Sequence, residues 1–131
     1  MWGERVEFGT LVGKTMRSVE VIDDNECVRF TTETGEIFDL SHDQDCCESV
    51  TLEDVCGELS DLVGAPIMVA TEDTSEDEAP PEGYYADDCA VWTFYHIRTI
   101  KGTVTLRWFG TSNGYYSVDV DLHKVNTNPL D

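Results

Sequence analysis

The stretch "VWTFYHIRTIKGTVTLRWFG", residues 91–110, decides the fold. A β-favouring run reaches Ile100, Lys101-Gly102 offers a two-residue turn, and a second run leads from Thr103 to Phe109. This predicts a hairpin in which Ile100 faces Thr103, Arg98 faces Thr105, His96 faces Arg107 and Phe94 faces Phe109. Alternation then sorts the side chains. One face carries Val91, Tyr95, Ile97, Val104, Leu106 and Trp108, a core face. The other carries Trp92, Phe94, His96, Arg98, Thr105, Arg107 and Phe109, flat aromatic surface interleaved with cations.

That second face has two readings. Aromatic rings stack on nucleobases, and an arginine fork fits phosphate oxygens, so a small anionic nucleotide would find both of its needs met. Equally, a second sheet or a partner subunit could cover the face, with Arg98 and Arg107 neutralised by carboxylates, since aromatic surface is common at oligomer interfaces. Beyond the hairpin, "GTSNGYYSVDVDL" sets Asn113-Gly114 as a turn dipeptide with Tyr115 and Tyr116 after it. Asn113, Tyr115 and Tyr116 are therefore added to Trp92, Phe94, His96, Arg98, Arg107 and Phe109 as candidate ligand-binding residues. No catalytic or metal-binding residue is assigned.

Outward from the hairpin the chain reads as further short strands. "CVRFTT" and "EIFDL" around "ETG" form a second hairpin, and "SVTLEDVC" is another strand. "GELSDLVG" allows one brief helical turn with Ser60 as N-cap. "LVGKTMRSVEVID" from Leu11 and "LVGAPIMVATEDT" from Leu62 share a design: an apolar pair, a glycine, then a β-favouring run. Six similar positions are too few to claim a duplicated half. Residues 71–88, acidic and holding Pro80-Pro81, read as a mobile exposed loop. The expected fold is α+β: one domain spanning 1–131, a mainly antiparallel sheet built from hairpins, and one or two short helices.

With 131 residues and 40% hydrophobic content the chain suits one domain, burying roughly 65–70% of its unfolded surface. No run approaches the roughly 18 apolar residues that span a bilayer, and "MWGERVEFGT" lacks a secretion-signal pattern. Eight basic against 27 acidic residues, net charge −19, repel DNA, RNA and anionic membranes. The expected partners therefore include neither a nucleic-acid polymer nor a membrane. Five cysteines, 27, 46, 47, 56 and 89, are an odd number without secretory context, so reduced thiols are expected.

"HDQDCCE", residues 42–48, raises the question of zinc held by His42, Cys46, Cys47 and Cys56. Adjacent cysteines point to opposite sides of a strand and no C-x-x-C is present, which argues against it. Neighbouring carboxylates would also raise a thiol pKa. The stretch reads as a structural corner, and no cofactor is expected. No nucleophile, phosphate loop or metalloprotease motif accompanies the acidic residues, so the chain is not expected to be an enzyme.

In order, "HDQDCCESV", "DVCGELSDLVGAPI", "WTFY" and "RWFGTSNGYYS" resemble a family of small bacteriophage and prophage proteins of uncharacterised function, over roughly Leu11 to Leu122. In size and β-rich pattern the chain is also similar to the Thoeris anti-defence sponges, oligomeric phage proteins that sequester cyclic ADP-ribose signals made by bacterial TIR enzymes; some also hold cyclic oligonucleotides. No functional residue is carried over from them. The resemblance implies a homo-oligomer in the cytoplasm of an infected bacterial host, without enzymatic activity, binding a small nucleotide-derived signalling molecule. The rival readings are a virion accessory part or host-protein inhibitor using the aromatic face, and a small metalloenzyme using the His42 region.

Overall fold

Alternating apolar and polar residues recur along the chain, and among the described residues of the computed structural model they form nine strands and two single-turn 3-10 helices. It describes residues 3–42, 49–75, 89–112 and 120–125. The strands are β1 (Gly3–Val6), β2 (Met16–Ile22), β3 (Cys27–Thr32), β4 (Ile37–Ser41), β5 (Ser49–Cys56), β6 (Val69–Ser75), β7 (Cys89–Thr99), β8 (Gly102–Ser112) and β9 (Asp121–Val125). The 3-10 turns are Phe8–Leu11 and Leu59–Leu62. Among the described residues there is no α-helix, so the class is all-β rather than α+β. The helical turn expected in "GELSDLVG" is the second 3-10 turn, but its N-cap is Glu58 and Ser60 lies inside it.

All strand pairs are antiparallel, in a five-stranded sheet ordered β1-β9-β4-β3-β2 and a four-stranded sheet ordered β5-β8-β7-β6. One core lies between them: Val28, Phe30, Phe38, Leu40 and Leu122 from the first sheet meet Leu52, Tyr95, Ile97, Leu106 and Trp108 from the second. Each of these positions alternates with an outward residue along its strand. The two helical turns contribute Phe8, Leu11 and Leu62 to the same core.

The repeated LVG design has a structural counterpart. Each copy ends a 3-10 turn at a leucine, Leu11 or Leu62, passes through a glycine at positive φ, Gly13 (87°) or Gly64 (83°), and enters an edge strand, β2 or β6. The copies lie against each other and exchange equivalent hydrogen bonds: Gly13 N–H donates to Ile67 C=O at 2.8 Å and Gly64 N–H to Met16 C=O at 2.9 Å. Each sheet then runs back from its edge, β2-β3-β4 in one and β6-β7-β8 in the other. In the second, β5 pairs β8 directly; in the first, β9 is inserted between β1 and β4.

The β7–β8 hairpin forms, shifted from the expected register. Ile100-Lys101 make the turn and Thr99 pairs Gly102, so His96 faces Thr105, Phe94 faces Arg107 and Trp92 faces Phe109. Moving the turn by one residue slides the partners by two, which leaves every side chain on its expected face. Gly102 does not provide a positive φ; it makes room, since a Cβ there would lie 2.8 Å from Asp61 Oδ2. Thr99 Oγ1 donates to Asp61 C=O and Lys101 Nζ to Val63 C=O (2.7 Å), fixing the turn on the second 3-10 turn.

Residues 71–75 are not loop. They complete β6, pairing Thr71 with His96 through Ser75 with Trp92. Partner hydrogen bonding overrides the weak strand preference of Glu and Asp at an edge. The rest of the expected acidic loop, 76–88, lies outside the described residues.

Candidate functional site

The outward face of the four-stranded sheet is built by register. Across β5, β8, β7 and β6, Cys56–Thr105–His96–Thr71 form one row and Asp54–Arg107–Phe94–Asp73 the next. Thr51–Phe109–Trp92 form a third, and Thr103–Arg98–Val69 lie toward the hairpin tip. The sequence therefore collects Trp92, Phe94, His96, Arg98, Arg107 and Phe109 on one surface, as expected. Asn113, Tyr115 and Tyr116 lie outside the described residues.

Exposure divides the six. Trp92 and Phe109 are 5% and 2% exposed, their rings 4.9 Å apart and tilted by 56°. Neither presents an open ring face. Phe94, parallel to Trp92 at 6.1 Å, is half-buried, as are His96 and Arg107; Arg98 is exposed.

Arg107 lies over both rings, its Cζ 4.8 Å from the Trp92 centroid and 5.7 Å from that of Phe94. On its other side Asp54 Oδ2 stands 3.7 Å from a guanidinium nitrogen, longer than a hydrogen bond. The rings lie within cation–π reach of the guanidinium, and Asp54 of the bulged edge strand β5 is one counter-charge beside it. His96 Nδ1 is 3.1 Å from Thr105 Oγ1. Arg98 has no ion pair among the described residues, and it pairs across the strands with Val69, 37% exposed. Asp54 and Asp73 end the Arg107–Phe94 row at its two sides, which confines positive potential to a narrow strip.

The most ordered ion pair lies elsewhere, on the outward face of the five-stranded sheet. Arg29 Nε and Nη2 donate to the two Asp39 oxygens at 2.8 and 2.9 Å, a bidentate pair. That hydrogen bonding raises the arginine's already high pKa. Beside it, burial first and the charges of Asp39 and Asp23 next push the Cys27 thiol up to about 12, so it is no nucleophile at neutral pH. Glu36 is held below the usual carboxylate range by hydrogen bonds from Lys124 and Lys14, at 3.1 and 3.2 Å. Lys124 thus ties the inserted strand β9 to the start of β4, a role its position near the tail did not announce.

Two cavities accompany these surfaces. One, of about 520 Å³, is lined by Asp23, Asp24, Glu26, Cys27, Asp39, Ser41, His42 and Val50. His42 is there, but Cys46 and Cys47 lie outside the described residues, and no described group of three ligands is placed to hold a metal ion. The other, of about 550 Å³, opens between the sheets where β1 and β6 form the two lips. Phe8 and Tyr95 make its floor with ring centroids 4.6 Å apart, and Tyr95 Oη donates to Val120 C=O at 2.8 Å. Glu7, Glu72, Arg5 and Asp121 line it as well. Sequence reading passed over this cleft because the part of β6 that carries Glu72 was assigned to a loop.

No helix among the described residues is long and apolar enough to cross a membrane. No curated protein and no solved structure matches the chain. A family model described as a domain of unknown function (DUF7448) matches residues 9–122.

Proposed function

The chain belongs to the DUF7448 family, and from that premise, which supplies no activity to inherit, we propose a non-enzymatic, phage-encoded protein that sequesters a nucleotide-derived bacterial immune signal. The signal would be of the cyclic ADP-ribose or cyclic-oligonucleotide type. The observation that carries the reading is the strip formed by Arg98, His96, Arg107 and Phe94 in a chain of net charge −19. Arg98 has no carboxylate partner among the described residues, and Arg107 lies over the aromatic rings of Trp92 and Phe94. Phe94 offers the stacking surface. Trp92 and Phe109, being buried, position Arg107 and do not themselves stack on the base.

Sequestration needs tight binding and slow release, not turnover, and suits a site made of cations and a ring without an activated nucleophile. The flanking Asp54 and Asp73 favour a compact ligand whose phosphates fit the strip over an extended polymer, whose backbone would meet the surrounding acids. We place the protein in the infected host's cytoplasm, as a homo-oligomer.

Native mass spectrometry of the protein incubated with extracts of infected cells that carry TIR or cyclic-nucleotide defences tests the reading. An oligomer that gains a discrete nucleotide mass, and loses it in Arg98→Ala and in Arg107→Ala, is the expected result. If no small-molecule mass is gained across those extracts, the reading falls. The second reading, a protein-binding inhibitor or virion accessory part, would then take its place; it is favoured by the exposed Met68, Val69 and Ile100 (53, 37 and 83%) near Arg98.

A further inference from the structure

Strand β6 ends its sheet, and among the described residues no strand lies on its far side. The first 3-10 turn packs against the strand, and among the described residues the Thr71–Ser75 backbone makes no hydrogen bond on the side away from β7. An edge of this kind accepts an added strand, with main-chain hydrogen bonds providing affinity and alternate side chains providing specificity. On the inward side such a strand would cover the mouth of the 550 Å³ cleft floored by Phe8 and Tyr95. On the outward side it would continue the face that carries Phe94.

Charge decides the occupant. The two central residues of the edge are both acidic and point to opposite faces: Glu72, opposite Tyr95, lines the cleft, and Asp73 stands opposite Phe94 on the outer face. Glu7 and Asp121 add to the acidity within the cleft, where the single cation, Arg5, is engaged by Asp121 at 3.2 Å. A second copy of β6 is disfavoured in the central registers. Antiparallel pairing of β6 with itself about either central position sets Glu72 against the same residue of the copy, or Asp73 against the same residue, and like charges directly opposite are destabilising.

We infer that the β6 edge with its cleft is a strand-addition site for an extended basic segment of another protein. The segment would have two consecutive cations that meet Glu72 on one face and Asp73 on the other. The edge adjoins the nucleotide strip at Asp73, which ends the Arg107–Phe94 row, but the strand-addition site uses the β6 backbone and Glu72, which the strip does not.

The test uses the full chain, labelled with nitrogen-15, and two blocked octapeptides of alternating valine and threonine. One has an adjacent lysine and arginine at its centre, the other two glutamates. The basic peptide is expected to shift the amides of residues 71–74 and 7–9 and to bind about tenfold or more tighter than the acidic one, two opposite-charge pairs having replaced two like-charge pairs. In the double variant Glu72→Lys, Asp73→Lys the preference should invert, which a merely damaged fold cannot produce. Should that variant not fold, Glu72→Gln is expected to narrow the preference severalfold. Equal binding of the two peptides, shifts confined to other surfaces, no shift with the basic peptide, or an unchanged preference in the variants would each overturn the inference.

Discussion

At the scale of single residues, Trp92 and Phe94 separate structure from binding. They are two positions apart on one strand face, with rings parallel at 6.1 Å, yet Trp92 is 5% exposed and Phe94 is half-buried. Removing a buried indole leaves a cavity and strips Arg107 of its nearer ring, so Trp92→Ala should destabilise the protein by about 3–5 kcal/mol. Phe94→Ala should cost about 1 kcal/mol, since less of its surface leaves water on folding. Urea unfolding of both variants measures the difference. In the nucleotide reading Phe94→Ala also loses ligand while staying folded; equal losses of stability would mean that Phe94 is packed like Trp92. The alternation of aromatic and polar residues was enough to place the two on one face. It could not show that only one is covered, because burial on an outward face depends on what lies over it.

At the scale of elements, legibility followed local chemistry. The strands "CVRFTT" and "SVTLEDVC" are β3 and β5 as read, and the hairpin faces sorted as expected because apolar core residues recur at alternate positions in both runs, broken only by Thr93 in β7. The hairpin register was misread because Gly102 suggested a turn residue, whereas its lack of a side chain serves the close approach of Asp61, a contact distant in sequence. The later part of β6, residues 71–75, was assigned to a loop for a related reason. "TEDTS" has poor intrinsic strand propensity, and only pairing with β7 makes it a strand. Glycines at element junctions show the same division between local and distant causes. Gly57 has φ +114°, and a Cβ there would lie 2.6 Å from the Thr103 carbonyl oxygen, a backbone atom of β8. Gly13 has φ +87° with nothing within 4 Å. Gly13→Ala is therefore expected to cost about 1 kcal/mol, from backbone conformation alone. Gly57→Ala should cost about 2–4 kcal/mol, because either β5 or β8 has to move. Denaturant midpoints of the two variants check the order; Gly13→Ala as damaging as Gly57→Ala would mean that conformation and not contact limits both sites.

At the scale of the whole molecule, the balance of charge governs both stability and choice of partner. Among the described residues, five of the eight cations, Arg5, Lys14, Arg29, Arg107 and Lys124, meet four carboxylates, Asp121, Glu36, Asp39 and Asp54. With 27 acids in the chain, most carboxylates have no cation to offset them, and compaction brings them together. Two opposing effects follow when salt is added. Screening weakens the ion pairs, but pairs at a surface contribute only about 0–1 kcal/mol each, and the bidentate Arg29–Asp39 pair, partly buried, is screened less. Screening also relieves repulsion summed over many uncompensated acids, a larger number of terms acting at distances that the Debye length, about 10 Å at 0.1 M and about 3 Å at 1 M, cuts off first. Repulsion should win, so the urea midpoint is expected to rise as sodium chloride is raised from about 0.05 to about 0.5 M, with the slope of the transition unchanged. A midpoint that falls instead would show that the few ion pairs, Glu36 between Lys14 and Lys124 foremost, hold β9 in its sheet more strongly than the excess acids push the fold apart. The same screening separates the two proposed sites from non-specific attraction. Basic peptides drawn only by net charge lose affinity for every acidic surface together as salt rises, whereas a strand added to β6 loses its charge pairing but keeps its main-chain hydrogen bonds.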